Sequence, residues 1–226
     1  MDIHIRPTPT STREAVYESL KEQILQFDLI PGTTISEKEI ALSFHVSRTP
    51  VRESFLRLAA EGLLDVYPQR GTVVSLIDLE LVEEARFLRE QLECAVIRLA
   101  CEHISNEALA ELELLLVRQK ATMNAQDDKA MFDLDEAFHK LLFDSCNKRN
   151  TWNAIQQMNV HLNRSRKLRL AADHNWQHLY DQHQQMVQAI REHDTETAVS
   201  LMKDHLHLTV QDQSFLKEKF PNYFKP

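Results

Sequence analysis

The stretch Val46-Ser47-Arg48-Thr49-Pro50-Val51-Arg52-Glu53 decides how the first third of this chain folds. Ser47 or Thr49 supplies a side-chain oxygen to cap a helix, and Pro50 falls in its first turn, where the missing N–H does no harm. The helix then runs from Val51 to Ala60 and stops at Gly62, with Val51, Phe55, Leu58 and Ala59 on its apolar face. Arg48 and Arg52 are four apart and project together from another face. Upstream, Ser36-Glu37-Lys38-Glu39 has the spacing of a capping box and opens a short helix ending near Phe44, with His45-Val46 as the turn. Two short helices joined by so tight a turn, with paired arginines at the start of the second, fit a helix-turn-helix. Farther upstream, Val16, Leu20, Ile24 and Phe27 place a helix over Arg13–Phe27, closed off by Pro31-Gly32. Downstream, the β-prone stretches Leu63–Tyr67 and Gly71–Ser75 flank Pro68-Gln69-Arg70-Gly71, which reads as a hairpin wing.

Together these residues resemble the GntR family of bacterial regulators over roughly residues 12–75. The resemblance implies that Lys38, Ser47, Arg48, Thr49 and Arg52 face DNA, with Gln69, Arg70 and Gly71 at the wing. It also implies a homodimer reading a palindromic operator, since two half-sites ask for a two-fold protein. Arginine suits such reading because its planar fork bonds O6 and N7 of guanine together. Arg57 sits off the Arg48/Arg52 face and is expected to make a structural pair.

Charge argues the other way at first sight. The 226 residues carry a formal charge of -8, and residues 1–77 hold 8 Lys/Arg against 10 Asp/Glu, so even the reader is not basic. Net charge matters less than where the basic side chains point, and an acidic body predicts weak nonspecific binding and strong salt sensitivity. The length suits two domains, placed at 1–77 and 78–226, with the polar, Pro/Thr-rich residues 1–12 expected to be disordered. Only 3 glycines are present, which speaks against a Gly-rich phosphate cradle and for a helical chain. No apolar run spans a membrane, and three cysteines without CxxC spacing argue against a disulfide framework. Cys94 and Cys101 read as core residues, and a cytoplasmic location is expected. The fold class is mostly α: a winged helix-turn-helix with a small β-wing, then an all-helical antiparallel bundle.

Asp78 can cap the first helix after the wing. Six helices are expected, near 79–103, 106–125, 128–146, 150–172, 176–192 and 195–219, separated by polar, cap-capable residues. The aromatic tail Phe220–Phe224 is expected to pack back onto the bundle. Some polar residues fall within apolar stripes. Asp135 and His139 share an arc with Phe132, Phe138, Leu142 and Phe143. His183 lies among Leu179, Met186, Val187 and Ile190, and His205 among Ala198, Leu201, Met202 and Leu206. Burying four such groups unpartnered would cost about 1–3 kcal/mol or more each. A shared divalent cation would satisfy them, Zn2+ first, with Ni2+ or Mn2+ as alternatives. On spacing alone, hydrogen-bonded core histidines remain the alternative. His103, His161, His174, His178, His193 and His207 are read as surface or loop residues.

Arg89-x2-Leu92-Glu93, Asp135-x2-Phe138-His139, His183 with Met186-Val187-x-Ala189-Ile190, and His205-Leu206 resemble the FCD effector domain of the FadR branch, in its six-helix VanR-like form. The resemblance covers about 80–210. It implies that Asp135, His139, His183 and His205 bind a metal whose open positions take a small carboxylate effector, an organic or sugar acid. Arg89 matches the arginine near the effector pocket, with Arg86 and Arg164 as weaker candidates. The remaining arginines of 164–169 are read as a solvated or DNA-side face. The expected function is a ligand-responsive transcription regulator, a repressor, with no enzymatic activity. The alternatives are a metal sensor with the ion as signal and a metal-dependent hydrolase. The second lacks an HExxH motif and an evident general base, since Glu136 should point away from Asp135.

Overall fold

A computed structural model describes residues 12–67, 71–173, 176–211 and 213–226, with the backbone alone at 173 and 209–211. Two compact units emerge, one ending at Leu76 and including Asn222–Pro226, the other spanning Ile77–Pro221.

The first unit holds α1 (Thr12–Leu25), β1 (Thr34–Ile35), α2 (Glu37–Ser43), α3 (Arg48–Ala60), β2 (Leu64–Tyr67) and β3 (Gly71–Val74). Thr12, expected to be disordered, belongs to α1; the rest of that expectation falls on residues 1–11, which lie outside the described residues. Val16, Tyr17, Leu20 and Ile24 of α1 pack with Val51, Phe55 and Leu58 of α3 as the unit's core. Ser36 caps α2 by accepting the Glu39 N–H at 3.1 Å. His45 turns the chain with a left-handed φ of 54°, and Val46 N–H closes on Ala41 O at 3.0 Å. That turn sets the angle between α2 and α3. The strands form an antiparallel sheet in the order β1-β3-β2, in which Tyr67 faces Gly71. β1 is only two residues long, too short to carry a period-2 signal. α1 stops before Phe27, which takes a φ of 62°. Phe27 stacks on Tyr223 at a centroid distance of 6.1 Å. The end of the chain therefore joins the first unit rather than the bundle, because an aromatic partner is available there.

The second unit holds α4 (Leu79–His103), α5 (Asn106–Ala125), α6 (Asp128–Ser145), α7 (Arg149–Met158), α8 (Val160–Asp173), α9 (Gln177–Arg191), α10 (Thr195–Gln211) and α11 (Gln213–Lys219). Asp78, Ser105 and Asp127 cap α4, α5 and α6 as their sequence positions suggest, each accepting backbone N–H groups of the first turn. Asn147 and His193 supply left-handed residues between helices. One expected helix is interrupted: the fourth breaks at Asn159 into α7 and α8. The expected last helix is described as α10 and α11, on either side of residue 212, which lies outside the described residues. α10 packs along α4, α5 along α6, and α9 against both α5 and α10. Ile97, Leu112, Phe138, Leu142, Met186, Ile190 and Met202 fill the centre. Each such side chain contributes about 1.5–3 kcal/mol by leaving water. Cys94 and Cys101 are buried free thiols. No described helix is long and apolar enough to cross a membrane.

A candidate metal centre and a candidate DNA-reading face

Asp135 and His139 sit one turn apart on α6, His183 comes from α9 and His205 from α10, and all four side chains are buried. Their ligand atoms lie within 4.8 Å of one another. His139 Nε2 is 3.2 Å from His205 Nε2 and 3.9 Å from Asp135 Oδ2. Asp135 Oδ1 lies 3.7 Å from His183 Nε2 and 3.9 Å from His205 Nε2. The stacked ring of Phe138, at 4.1 Å, holds the His183 imidazole in plane.

Each imidazole is oriented from behind. His183 Nδ1 faces Gln119 Oε1 at 3.0 Å, and Gln119 Nε2 donates to Leu134 O at 3.3 Å. That second bond turns the amide so that its oxygen meets His183, which makes Nδ1 the donor and leaves Nε2 with its lone pair. His205 Nδ1 faces Gln182 Oε1 at 3.0 Å. His139 Nδ1 is in close contact with Glu93 Oε2. All three rings thus present Nε2 to the cluster. His183 Nε2 and Asp135 Oδ1 are buried there without a hydrogen-bond partner.

The ionisation states suit a cation. Burial pushes His183 down to about 3 and His205 well below its ordinary value, so both are neutral bases at pH 7. Burial alone would raise Asp135, but the Arg166 guanidinium holds it well below the usual carboxylate range. Glu93 likewise resists burial and sits at about 2, held by Arg89 and His139. One carboxylate and three imidazoles that turn Nε2 inward is the donor set of a divalent transition metal. The oxygen partners on Nδ1 are what ligating histidines carry.

Around the cluster lies a charged network. Arg89 Nε meets Glu93 Oε1 at 2.5 Å, and both side chains are 1% exposed, so the i, i+4 pair is internal rather than a surface one. Arg89 Nη1 lies 3.6 Å from Glu136 Oε1, while Nη2 is buried without a partner. Arg86 forks between Glu83 at 2.6 Å and Glu90 at 2.5 Å on its own helix. Arg164 is fully buried on α8. Arg166 overturns the reading of its stretch as a solvated face. It contacts Asp135 Oδ2, pairs with Glu136 Oε1 at 2.5 Å, and leans on the Phe132 ring. Glu136 is tied into the same network through Arg166, Arg89 and Gln156. His161 is also buried rather than superficial, its Nδ1 accepting the Asp78 N–H at 3.1 Å.

Glu93, Gln119, Gln182 and Arg166 carry roles that spacing did not assign. Gln119 had a signal: it extends the buried stripe of Leu112 and Leu116 along α5.

The first unit treats its cations differently. Lys38 on α2 and Ser47, Arg48, Thr49 and Arg52 at the start of α3 are exposed. Ser47 is the N-cap by position, but its hydroxyl makes no capping bond. Lys38, Arg48 and Arg52 pair with no carboxylate among the described residues. α3 itself is braced elsewhere. Arg57 pairs with Glu14 at 3.1 Å and lies over the Tyr17 ring, and buried Ser54 bonds Pro50 O at 2.8 Å. Gly71 opens β3 with a φ of 106°, while Gln69 and Arg70 lie outside the described residues.

A short helix pair with a solvent-facing second helix and a wing, joined in one chain to a helical domain with a buried polar cluster, defines a one-component regulator. Family comparison agrees. Residues 12–74 match the bacterial regulatory proteins of the gntR family, and residues 84–208 match the FCD domain. The chain belongs to the GntR family of transcription regulators, in the group with an FCD domain. A transcriptional regulator from an unstable DNA locus of Streptomyces ambofaciens is 35% identical over 95% of this chain and 90% of its own. The transcriptional repressor RspR of Escherichia coli is 29% identical over 99% of both chains. In fold, Escherichia coli McbR/YncC superposes with a TM-score of 0.73 at 22% identity, over 94% of this chain and 100% of that one. These are regulators, not enzymes.

Proposed function

We propose that this chain is a ligand-responsive repressor that reads a palindromic operator as a homodimer. Lys38, Ser47, Arg48, Thr49, Arg52 and the wing residues Gln69, Arg70 and Gly71 would meet the DNA. Asp135, His139, His183 and His205 would hold a divalent metal, and a small organic or sugar acid would bind beside it. The observation that carries the reading is the convergence of three Nε2 atoms and one carboxylate in a buried core, each imidazole backed by an oxygen at Nδ1. Without a cation, His183 Nε2 and Asp135 Oδ1 remain buried and unsatisfied, a cost of about 1–3 kcal/mol each. The metal, when bound, would supply a Lewis-acidic contact for the effector's carboxylate.

Four protein donors fill a tetrahedral ion, so a directly bound effector asks for a five- or six-coordinate one. The free Nη2 of Arg89 supports a carboxylate nearby, since a guanidinium pairs with one bidentately. Asn159 and Ser165, on the segment packed against α4, also bury polar atoms without partners, which suits the polar body of such an acid. The repressor sense rests on the name of the RspR relative alone.

The test is metal analysis of purified protein, then operator affinity with Zn2+, Ni2+ or Mn2+, with and without a panel of organic and sugar acids. An acid that weakens operator binding only in metal-loaded protein supports the reading. Metal that alters DNA affinity by itself makes the ion the signal. If chelation changes neither stability nor binding and no acid has an effect, the reading fails.

A further inference from the structure

We propose that Arg166 and the metal compete for Asp135, and that the guanidinium so displaced becomes a carboxylate-binding group of the site. The inference rests on the metal reading above and concerns how the site is charged before and after loading.

Asp135 faces two ways. Oδ1 points to His183 and His205, while Oδ2 is in contact with Arg166 Nη2. Arg166 therefore supplies, in this structure, a positive charge in direct contact with a buried carboxylate. Its other arm is independent of Asp135: Nη1 pairs with Glu136 Oε1 at 2.5 Å and meets Asn163 Oδ1 at 3.1 Å. A cation on Asp135 would weaken the Nη2 contact by repulsion and by drawing off carboxylate charge, yet Arg166 would stay anchored through Nη1. The outcome is a guanidinium held in place with one nitrogen free, next to the metal ligands, on a side chain only 15% exposed. Such a half-committed fork is a carboxylate receptor.

The charge count has the same sign. Among the arginines and carboxylates that these contacts link, Glu93, Asp135 and Glu136 outnumber Arg89 and Arg166 by one. A divalent cation turns this to a net single positive charge in a largely buried setting, and an anion then relieves it. Arg166 makes metal uptake and acid uptake depend on each other: it opposes the first when no acid is present and serves the second once it is released.

The experiment uses the full chain, with Zn2+ and acetate as probes. Zn2+ affinity is read by competition with a chromophoric chelator, and acetate binding by the thermal shift of Zn2+-loaded protein. Arg166→Gln should bind Zn2+ about tenfold more tightly in acetate-free buffer, because the competing cation is gone, and should lose the acetate-induced shift. Arg166→Lys keeps a charge without the fork; it should lie between wild type and Arg166→Gln in Zn2+ affinity, and it replaces that variant should Arg166→Gln not fold. Weaker Zn2+ binding in both variants would mean that Arg166 orients Asp135, and the competition is overturned. Tighter Zn2+ binding with an undiminished acetate shift overturns the receptor role. Wild-type protein that takes up no metal fails the underlying reading before any variant is made.

Discussion

Arginines in the two units are put to opposite uses. In the reader, Arg48 and Arg52 stand in solvent with no carboxylate partner, on a helix braced by other residues. In the helical unit, Arg89 and Arg166 lie inside or at the edge of the core, tied to Glu93, Asp135 and Glu136. An unpaired surface guanidinium costs the fold nothing and stays available to a base edge. A buried one is stabilised only while its partners remain, so it reports on anything that changes them. On the proposed reading, the same side chain serves recognition in one unit and sensing in the other, with burial deciding which.

The difference can be broken most forcefully at Glu93. Glu93→Ala should destabilise the protein by about 3–5 kcal/mol in chemical unfolding, since Arg89 and His139 would lose a buried partner. A loss below about 1 kcal/mol would mean that the buried pair contributes no more than a surface one. Next comes Arg52→Ala, expected to leave stability within about 0.5 kcal/mol while costing about 1–3 kcal/mol of specific operator binding by fluorescence anisotropy. Unfolding of this variant at lower denaturant, with operator affinity intact, would reverse the assignment.

Gln119→Leu probes the orienting layer. It removes the oxygen on His183 Nδ1 and should weaken metal binding about tenfold to a hundredfold by chelator competition. Unchanged affinity would make Gln119 a packing residue. A pH trend probes the buried groups together. His183 takes its proton at about 3 in the fold and near 6.5 when unfolded, and Glu93 at about 2 against 4.5. In both cases the unfolded chain binds protons first as pH falls. Metal-free protein should keep its full stability above pH 6.5 and lose it progressively below, first through His183 and then, under about pH 4.5, through Glu93 as well. A thermal midpoint that stays flat or rises from pH 7 to pH 4 would contradict this.

Much of the fold could be read because its punctuation is local. Ser36, Asp78, Ser105 and Asp127 cap helices through bonds to residues two or three positions on. The break at Asn159 was not legible: no Gly or Pro marks it, and the buried positions Trp152, Ile155, Asn159 and Leu162 keep helical spacing straight through it. Of the site, the four inward donors stood out as polar residues in apolar stripes. Arg166 did not, because α8 buries residues on more than one side, including His161, Arg164, Ser165, Leu168 and Leu170. No single stripe then tells an inward arginine from an outward one. The tail went astray for a different reason, since its partner Phe27 lies nearly two hundred residues away in sequence.

That the buried Asp135/His139/His183/His205 cluster is a metal site governing DNA reading is the proposal on which the rest depends. It is tested most directly by measuring operator affinity of the full chain in four states: chelated, metal-loaded, and each with a binding acid identified by thermal shift. The acid should weaken operator binding tenfold or more in metal-loaded protein and not in chelated protein, and His183→Ala should abolish the difference. Equal operator affinity in all four states would contradict it.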